Sequence, residues 1–145
     1  MRIIGGNYKG KKITIPLNNN TRPLRDLVKE SIFNLIEHSN NFSVKLKNSV
    51  ILDLFSGTGS FGLECFSRGA ESVLFIENYK SILRILKKNI LTLGAEKNSI
   101  VIEEDCFEYF SKKINFEKKF DIVFLDPPFK EKKASFLLDK IINDK

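Results

Sequence analysis

The sequence predicts an α/β protein built on an open, doubly wound and mostly parallel sheet, preceded by a small N-terminal β-hairpin and a helix. Three observations carry this. Four near-continuous apolar runs recur along residues 50–125, helical stretches with three- and four-residue apolar spacing alternate with them, and a glycine-rich turn follows the first run. Runs that are apolar at nearly every position suit strands covered on both faces, which is what strand–helix–strand repetition supplies.

Taken in order, Arg2-Ile3-Ile4, the loop Gly5-Gly6-Asn7-Tyr8-Lys9-Gly10 and Lys12-Ile13-Thr14-Ile15 read as a hairpin with a glycine-rich basic turn, ended by Pro16 and Asn18-Asn19-Asn20. Thr21 and Pro23 introduce a helix over about Leu24–His38, with Leu24, Val28, Ile32, Leu35 and Ile36 as its apolar stripe. Ser39–Ser49 is mostly polar and reads as a linker. Strands are expected at Val50–Leu54, Ser72–Ile76, Ser99–Ile102 and Asp121–Leu125. A helix over Ser60–Arg68 closes at Gly69, and a second, marked by Ile82, Leu83, Leu86, Ile90 and Leu93, closes at Gly94. A third is expected over about Ala134–Ile142. No internal repeat is present.

A chain of 145 residues suits one domain, here divided into a basic hairpin-and-helix part, 1–49, and a core, 50–145. No apolar run approaches the roughly 18 residues of a membrane span, and the first residues lack a signal-peptide pattern, so a soluble cytoplasmic protein is expected. Cys65 and Cys106 form no CxxC pair and only His38 accompanies them, which argues against a disulfide framework and against a metal site. His38 has no Ser/His/Asp constellation around it. The net charge of +6 lies entirely in residues 1–50, where nine Lys/Arg face three acids, whereas residues 51–145 carry fifteen of each. That asymmetry suits a phosphate-gripping arm on a neutral body, or a solvated basic surface.

Asp53-Leu54-Phe55-Ser56-Gly57-Thr58-Gly59-Ser60-Phe61-Gly62 joins the first strand to the first helix, a place where exposed N–H groups and missing side chains let a nucleotide approach the backbone. Glu77 ends the second strand, twenty residues after Gly57, where a carboxylate can accept from ribose hydroxyls. Nicotinamide dinucleotides use the same pattern. Asp53 discriminates, because a carboxylate before the loop repels pyrophosphate and favours the cationic amino-acid end of S-adenosylmethionine. Asp105 after the third strand is placed for an adenine amino group, with Cys106 and Phe107 as ring contacts, or caps the helix that Asp105-Cys106-Phe107-Glu108 announces. Asp126-Pro127-Pro128-Phe129 ends the fourth strand. Its fixed backbone offers Asp126 and the Pro127 carbonyl as two acceptors for an exocyclic base amine, with Phe129 stacking on an extruded base.

Together with Arg2-Ile3-Ile4-Gly5-Gly6, Lys9-Gly10-Lys11 and Thr21-Arg22-Pro23 through Val28-Lys29-Glu30-Ser31-Ile32-Phe33-Asn34, these motifs resemble the RsmD-type 16S rRNA guanine-N2 methyltransferases over residues 1 to about 140. The resemblance implies a Rossmann-like class I methyltransferase fold that uses S-adenosylmethionine. It places Asp53, Phe55, Ser56, Gly57, Thr58, Gly59, Glu77, Asp105 and Cys106 around that cofactor, and Asp126, Pro127, Pro128 and Phe129 around the target guanine. Arg2, Lys9, Lys11, Lys12, Arg22, Arg25 and Lys29 would grip RNA, with 16S rRNA in the small ribosomal subunit or its assembly intermediate as partner. The related fold continues with further strands, so the C-terminal strands are expected to be missing and the fourth strand to lie at an edge. An enzyme acting on adenine N6 shares both motifs, a dinucleotide oxidoreductase shares only the glycine loop and Glu77, and a truncated RNA-binding remnant shares only the arm.

Overall fold

Apolar runs that cannot face water and helices with one apolar stripe bury each other, and the computed structural model, which describes residues 1–17, 26–40, 43–112, 119–128 and 131–143, is organised by that pairing. A 3₁₀ turn, Gly6–Tyr8, is followed by α1 (Asp26–His38), β1 (Val50–Leu54), α2 (Ser60–Ser67), β2 (Ser72–Ile76), α3 (Lys80–Leu93), a second 3₁₀ turn, β3 (Ser99–Ile102), α4 (Cys106–Ser111), β4 (Ile122–Leu125) and α5 (Ala134–Asn143). The strands are all parallel in the order β3-β2-β1-β4, with Asp53 facing Phe75 on one side and Phe124 on the other. β4 is an edge of this sheet. No helix among the described residues is long and apolar enough to cross a membrane.

Alternation along the strands divides the core between the two faces. Ile51, Val73 and Phe75 point toward Phe61, Leu63, Leu86 and Leu93 of α2 and α3, with Phe33 of α1 and Ile3 and Ile13 of the arm in the same cluster. Leu52, Leu54 and Ile76 point the other way, toward Cys106, Phe110 and Leu137 of α4 and α5. Helix α2 comes close enough to β2 that a Cβ on Gly62 would stand 2.7 Å from a methyl of Val73, so this position of the glycine motif serves helix–sheet contact.

Four expectations are corrected. The hairpin ladder is reduced to one antiparallel bridge, Arg2 with Lys12, flanked by Ile3 N–H to Lys11 O at 2.9 Å and Ile13 N–H to Met1 O at 3.1 Å. Beyond the paired Ile3, the amides of Ile4 and Gly5 donate to the carboxylate of Glu64, at 2.9 and 2.7 Å. In α1 the buried residues are Lys29 and Phe33, with Ile32 and Ile36 partly buried beside them, whereas Val28 and Leu35 of the expected stripe are exposed. The stretch after α1 is packed as well, since Leu46 is buried and accepts the hydroxyl of buried Ser49. Asp121 stands just outside β4, its amide donating to Val50 O at 2.9 Å and its Oδ2 accepting the Val50 amide at 2.7 Å.

Candidate active site

A parallel sheet leaves a crevice at the carboxyl ends of its strands where the order reverses, here between β1 and β4. Asp53, Glu77, Asp105 and Asp126 lie at or just beyond the carboxyl ends of β1, β2, β3 and β4. Gly59 is the N-cap of α2 with φ +80°, and a Cβ there would meet Leu86 of α3 at 2.6 Å, so both backbone and space require glycine. Phe55 also has positive φ, +54°, and meets Phe107 edge-on at 5.8 Å. A non-glycine residue held this way is strained by about 1–3 kcal/mol, so the surrounding contacts must impose the geometry.

Glu77 holds the loop from the end of β2. Its Oε2 accepts the Gly57 amide at 2.8 Å, while Oε1 accepts the amides of Asn78 and Tyr79, both at 2.9 Å, where α3 begins. Ser56 is tied to the same strand end through its amide and its hydroxyl, both donating to Ile76 O. One carboxylate therefore fixes both the glycine turn and the next helix start, and Oε2, which accepts one amide where Oε1 accepts two, keeps acceptor capacity for a ligand hydroxyl.

Asp53 lies beneath the loop, 1% exposed, with Oδ2 accepting the Gly62 amide at 3.0 Å. Burial pushes its carboxyl well above the ordinary aspartate range, and the charges of Asp126 and Glu77 push the same way. A cation in the crevice would oppose that shift by favouring the ionised form. Because the folded state favours the protonated acid, the stability contribution of Asp53 is fully present below its unfolded pKa and is lost as pH rises toward its raised value. Asp53→Asn is accordingly expected to stabilise the ligand-free protein by about 1–3 kcal/mol at neutral pH, read as a higher melting temperature, with the advantage over the parent vanishing as pH falls toward 4.

Asp105 caps α4: its Oδ1 accepts the amides of Phe107 and Glu108 at 2.8 and 3.2 Å, and its Oδ2 accepts Asn78 Nδ2 at 3.3 Å. Cys106 is buried in the core beneath the crevice, and its thiol is pushed up to about 12 by that burial, so it is packing and not a nucleophile. Cys65 is buried too. Asp126 is exposed at the end of β4, and partial desolvation raises its carboxyl above the ordinary range. Pro127 follows half-buried, and Pro128 O accepts the Glu131 amide at 2.8 Å. Phe129, Arg22 and Arg25 lie outside the described residues.

Of the basic residues, Arg2, Lys9, Lys11 and Lys12 are exposed on the arm, with Arg2 Nε 3.6 Å from Asp26 and Lys11 Nζ 5.4 Å from the Tyr8 ring centroid. Lys29 is corrected. It is fully buried, with Nζ 2.8 Å from Arg2 O, 3.5 Å from Ser60 Oγ and 3.3 Å from Glu64 Oε2, so it pins the arm and does not face a phosphate. Glu64 and Asn89, both fully buried, were not read from the sequence as functional. The available signal was a polar residue inside an otherwise apolar helical face, at Glu64 in α2 and at Asn89 between Leu86 and Ile90 in α3.

The site is thus a glycine cradle ringed by acids, suited to a cationic nucleoside and poorly suited to a pyrophosphate. An apolar hollow of about 310 Å³ beside the start of β4, lined by Ile32, Ile36, Phe61 and Val123 among others, contains none of these residues. No group of three or more His, Cys, Asp or Glu among the described residues could hold a metal ion.

Known proteins similar to this chain share its family and its fold. The family model described as conserved hypothetical protein 95 matches residues 1–145. Ribosomal RNA small subunit methyltransferase D of Haemophilus influenzae is 37% identical over 130 residues, covering 89% of this chain and 64% of that protein, so the chain spans a little under two thirds of that relative's length. The solved structure of yhhF from Escherichia coli superposes with a TM-score of 0.80 at 30% identity, covering 99% of this chain and 72% of that one. The SAM-dependent methyltransferase from Agrobacterium tumefaciens matches with a TM-score of 0.56 at 25% identity, over 74% of this chain and 33% of that one. The sheet is that of the class I methyltransferases.

Proposed function

The chain belongs to the conserved hypothetical protein 95 family, the RsmD family, and from that premise we propose that it transfers a methyl group from S-adenosylmethionine to the exocyclic N2 of a guanine in 16S rRNA. The observation that carries the reading is the convergence of Asp53, Glu77, Asp105 and Asp126 on one glycine loop, with the basic residues kept apart on the arm. The residues fit such a cofactor. A Cβ on Gly57 would have no neighbour closer than Phe55 O at 3.9 Å, so the loop's outer side is open, and the acids there favour positive charge.

S-adenosylmethionine, when bound, supplies an electrophilic methyl on a sulfonium. Glu77 would hold the ribose hydroxyls, Asp105 would accept from the adenine amine with the acceptor capacity left beside its cap, and Asp53 would stabilise positive charge from beneath. Asp126 and the Pro127 carbonyl would accept from the guanine N2 amine, orienting its lone pair for in-line attack and stabilising the charge it develops, with Phe129 stacking on the base. Residues 1–49 act in this reading as an RNA-binding part and 50–145 as the cofactor-binding core, in a cytoplasmic protein whose substrate is the small ribosomal subunit or its assembly intermediate.

The test is a calorimetric titration of the chain with S-adenosylmethionine, with NAD as control, followed by nucleoside analysis of 16S rRNA after incubation. Saturable binding of S-adenosylmethionine alone and formation of N2-methylguanine are expected; binding of NAD, or N6-methyladenine as product, would overturn the reading. RNA affinity should also weaken with salt. If Arg2, Lys9, Lys11 and Lys12 each neutralise one phosphate, the slope of log Kobs against log salt is about −3 to −4. A flat response would remove the arm from the interface.

A further inference from the structure

In α3 the side chain of Asn89 grips both the N-terminal arm and the glycine loop. Its amide is fully buried and fully used. Oδ1 accepts the Thr14 amide at 2.8 Å, and Nδ2 donates to Thr14 O at 3.0 Å and to Thr58 O at 2.9 Å. The first two bonds copy a strand pairing, so the side chain stands in for a neighbouring strand along the second half of the arm. The third holds the carbonyl between the two glycines of the loop. Glu77 fixes the loop from its N–H side at Gly57, and Asn89 fixes it from its carbonyl side at Thr58.

We propose that Asn89 is a positioning residue that couples docking of the basic arm to occupancy of the cofactor loop. This rests on the reading of that loop as an S-adenosylmethionine site. One amide cannot optimise three bonds unless both partners are in place, so a ligand that orders Thr58 also orders Thr14, and RNA that orders the arm lowers the cost of ordering the loop. The two affinities must then rise by the same factor, since binding linkage is reciprocal. A roughly fivefold mutual gain is the scale that such couplings reach.

The test uses S-adenosylhomocysteine as probe on the full chain. Amide exchange at Thr14 is measured with and without saturating probe in the parent and in Asn89→Asp, which keeps an acceptor and loses both donors. The parent should slow exchange at Thr14 by roughly fivefold when the probe binds, although Thr14 itself is not a cofactor contact in this reading. In Asn89→Asp the probe should bind roughly tenfold more weakly and leave Thr14 exchange unchanged. A purely structural role predicts faster exchange in the variant but no response to the probe in the parent, and that result overturns the proposal. If the variant does not fold, the parent measurement alone decides. Calorimetry on the parent separates the two levels: no binding of the probe overturns the cofactor reading and this inference with it, whereas binding with unaltered Thr14 exchange overturns the inference alone.

Discussion

Asp126→Ala is expected to lower methyl transfer to 16S rRNA by roughly 10²–10³-fold while leaving the affinity for S-adenosylmethionine within about threefold of the parent. The expectation follows from position. Asp126 is the first residue beyond β4, exposed at the crevice, and among the described residues no hydrogen bond of the loop passes through it, whereas Glu77 holds the loop at Gly57 and Asp53 holds the start of α2 at Gly62. Removing it leaves the cradle intact and takes away one of two acceptors that orient the amine. Single-turnover transfer and calorimetric titration separate the two effects, and a loss of affinity equal to the loss of rate would move Asp126 into the cofactor site. Partial desolvation raises its carboxyl above the ordinary aspartate range, and the ionised form is the acceptor, so activity should rise with pH along an acid limb lying above that range. In Asp126→Asn that limb should disappear.

Glu64→Ala is expected to be the most destabilising single substitution outside the apolar core, at about 3–5 kcal/mol, because it leaves a buried ammonium unpaired. Glu64 and the Lys29 side chain are both 0% exposed and 3.3 Å apart. The same carboxylate also accepts Ile4 N–H, Gly5 N–H and Arg68 Nε, the last at 3.0 Å, and Arg68 continues to Glu37 at 2.8 Å and lies over the Phe33 ring at 4.5 Å. Two backbone donors and two cations thus lose one acceptor together. Urea unfolding should show a lower midpoint, and the smaller m-value expected from a detached arm would distinguish local release from global weakening. The double variant Lys29→Met/Glu64→Leu should recover the part of the loss owed to the unpaired ammonium, while the amides of Ile4 and Gly5 and the Arg68 guanidinium still lack their acceptor. A Glu64→Ala loss below about 1 kcal/mol would mean that water reaches Lys29 in solution.

The legible part of this protein was the part with local periodicity. β1 and β2 fall where the apolar runs at Val50–Leu54 and Ser72–Ile76 place them, and Gly94 closes α3 in a left-handed conformation with φ +70°. The glycine loop, Glu77 and Asp126 were legible for the same reason, since a parallel strand ends where its apolar run ends and side chains there face the crevice. The cap on α4 was visible as a short pattern, Asp105 to Glu108, and the structure realises it through the amides of Phe107 and Glu108.

Other features have no local signature. Lys29 reads as one more cation of the basic N-terminal part, and only the arrival of Glu64, 35 positions later, makes it a buried partner. Asn89 reads as a polar interruption until the arm, 75 residues earlier, lies against it. The hairpin pattern around Gly5-Gly6 predicts a ladder, whereas the structure has one bridge and binds the amides of Ile4 and Gly5 to Glu64, some sixty residues on. By itself the sequence determined the α/β order, the strands, the glycine loop and the acids at the strand ends. The tertiary structure decided which polar residues face a ligand and which hold the arm in place, because the partner of a buried polar group is chosen by proximity across the fold and leaves no periodic trace in the chain.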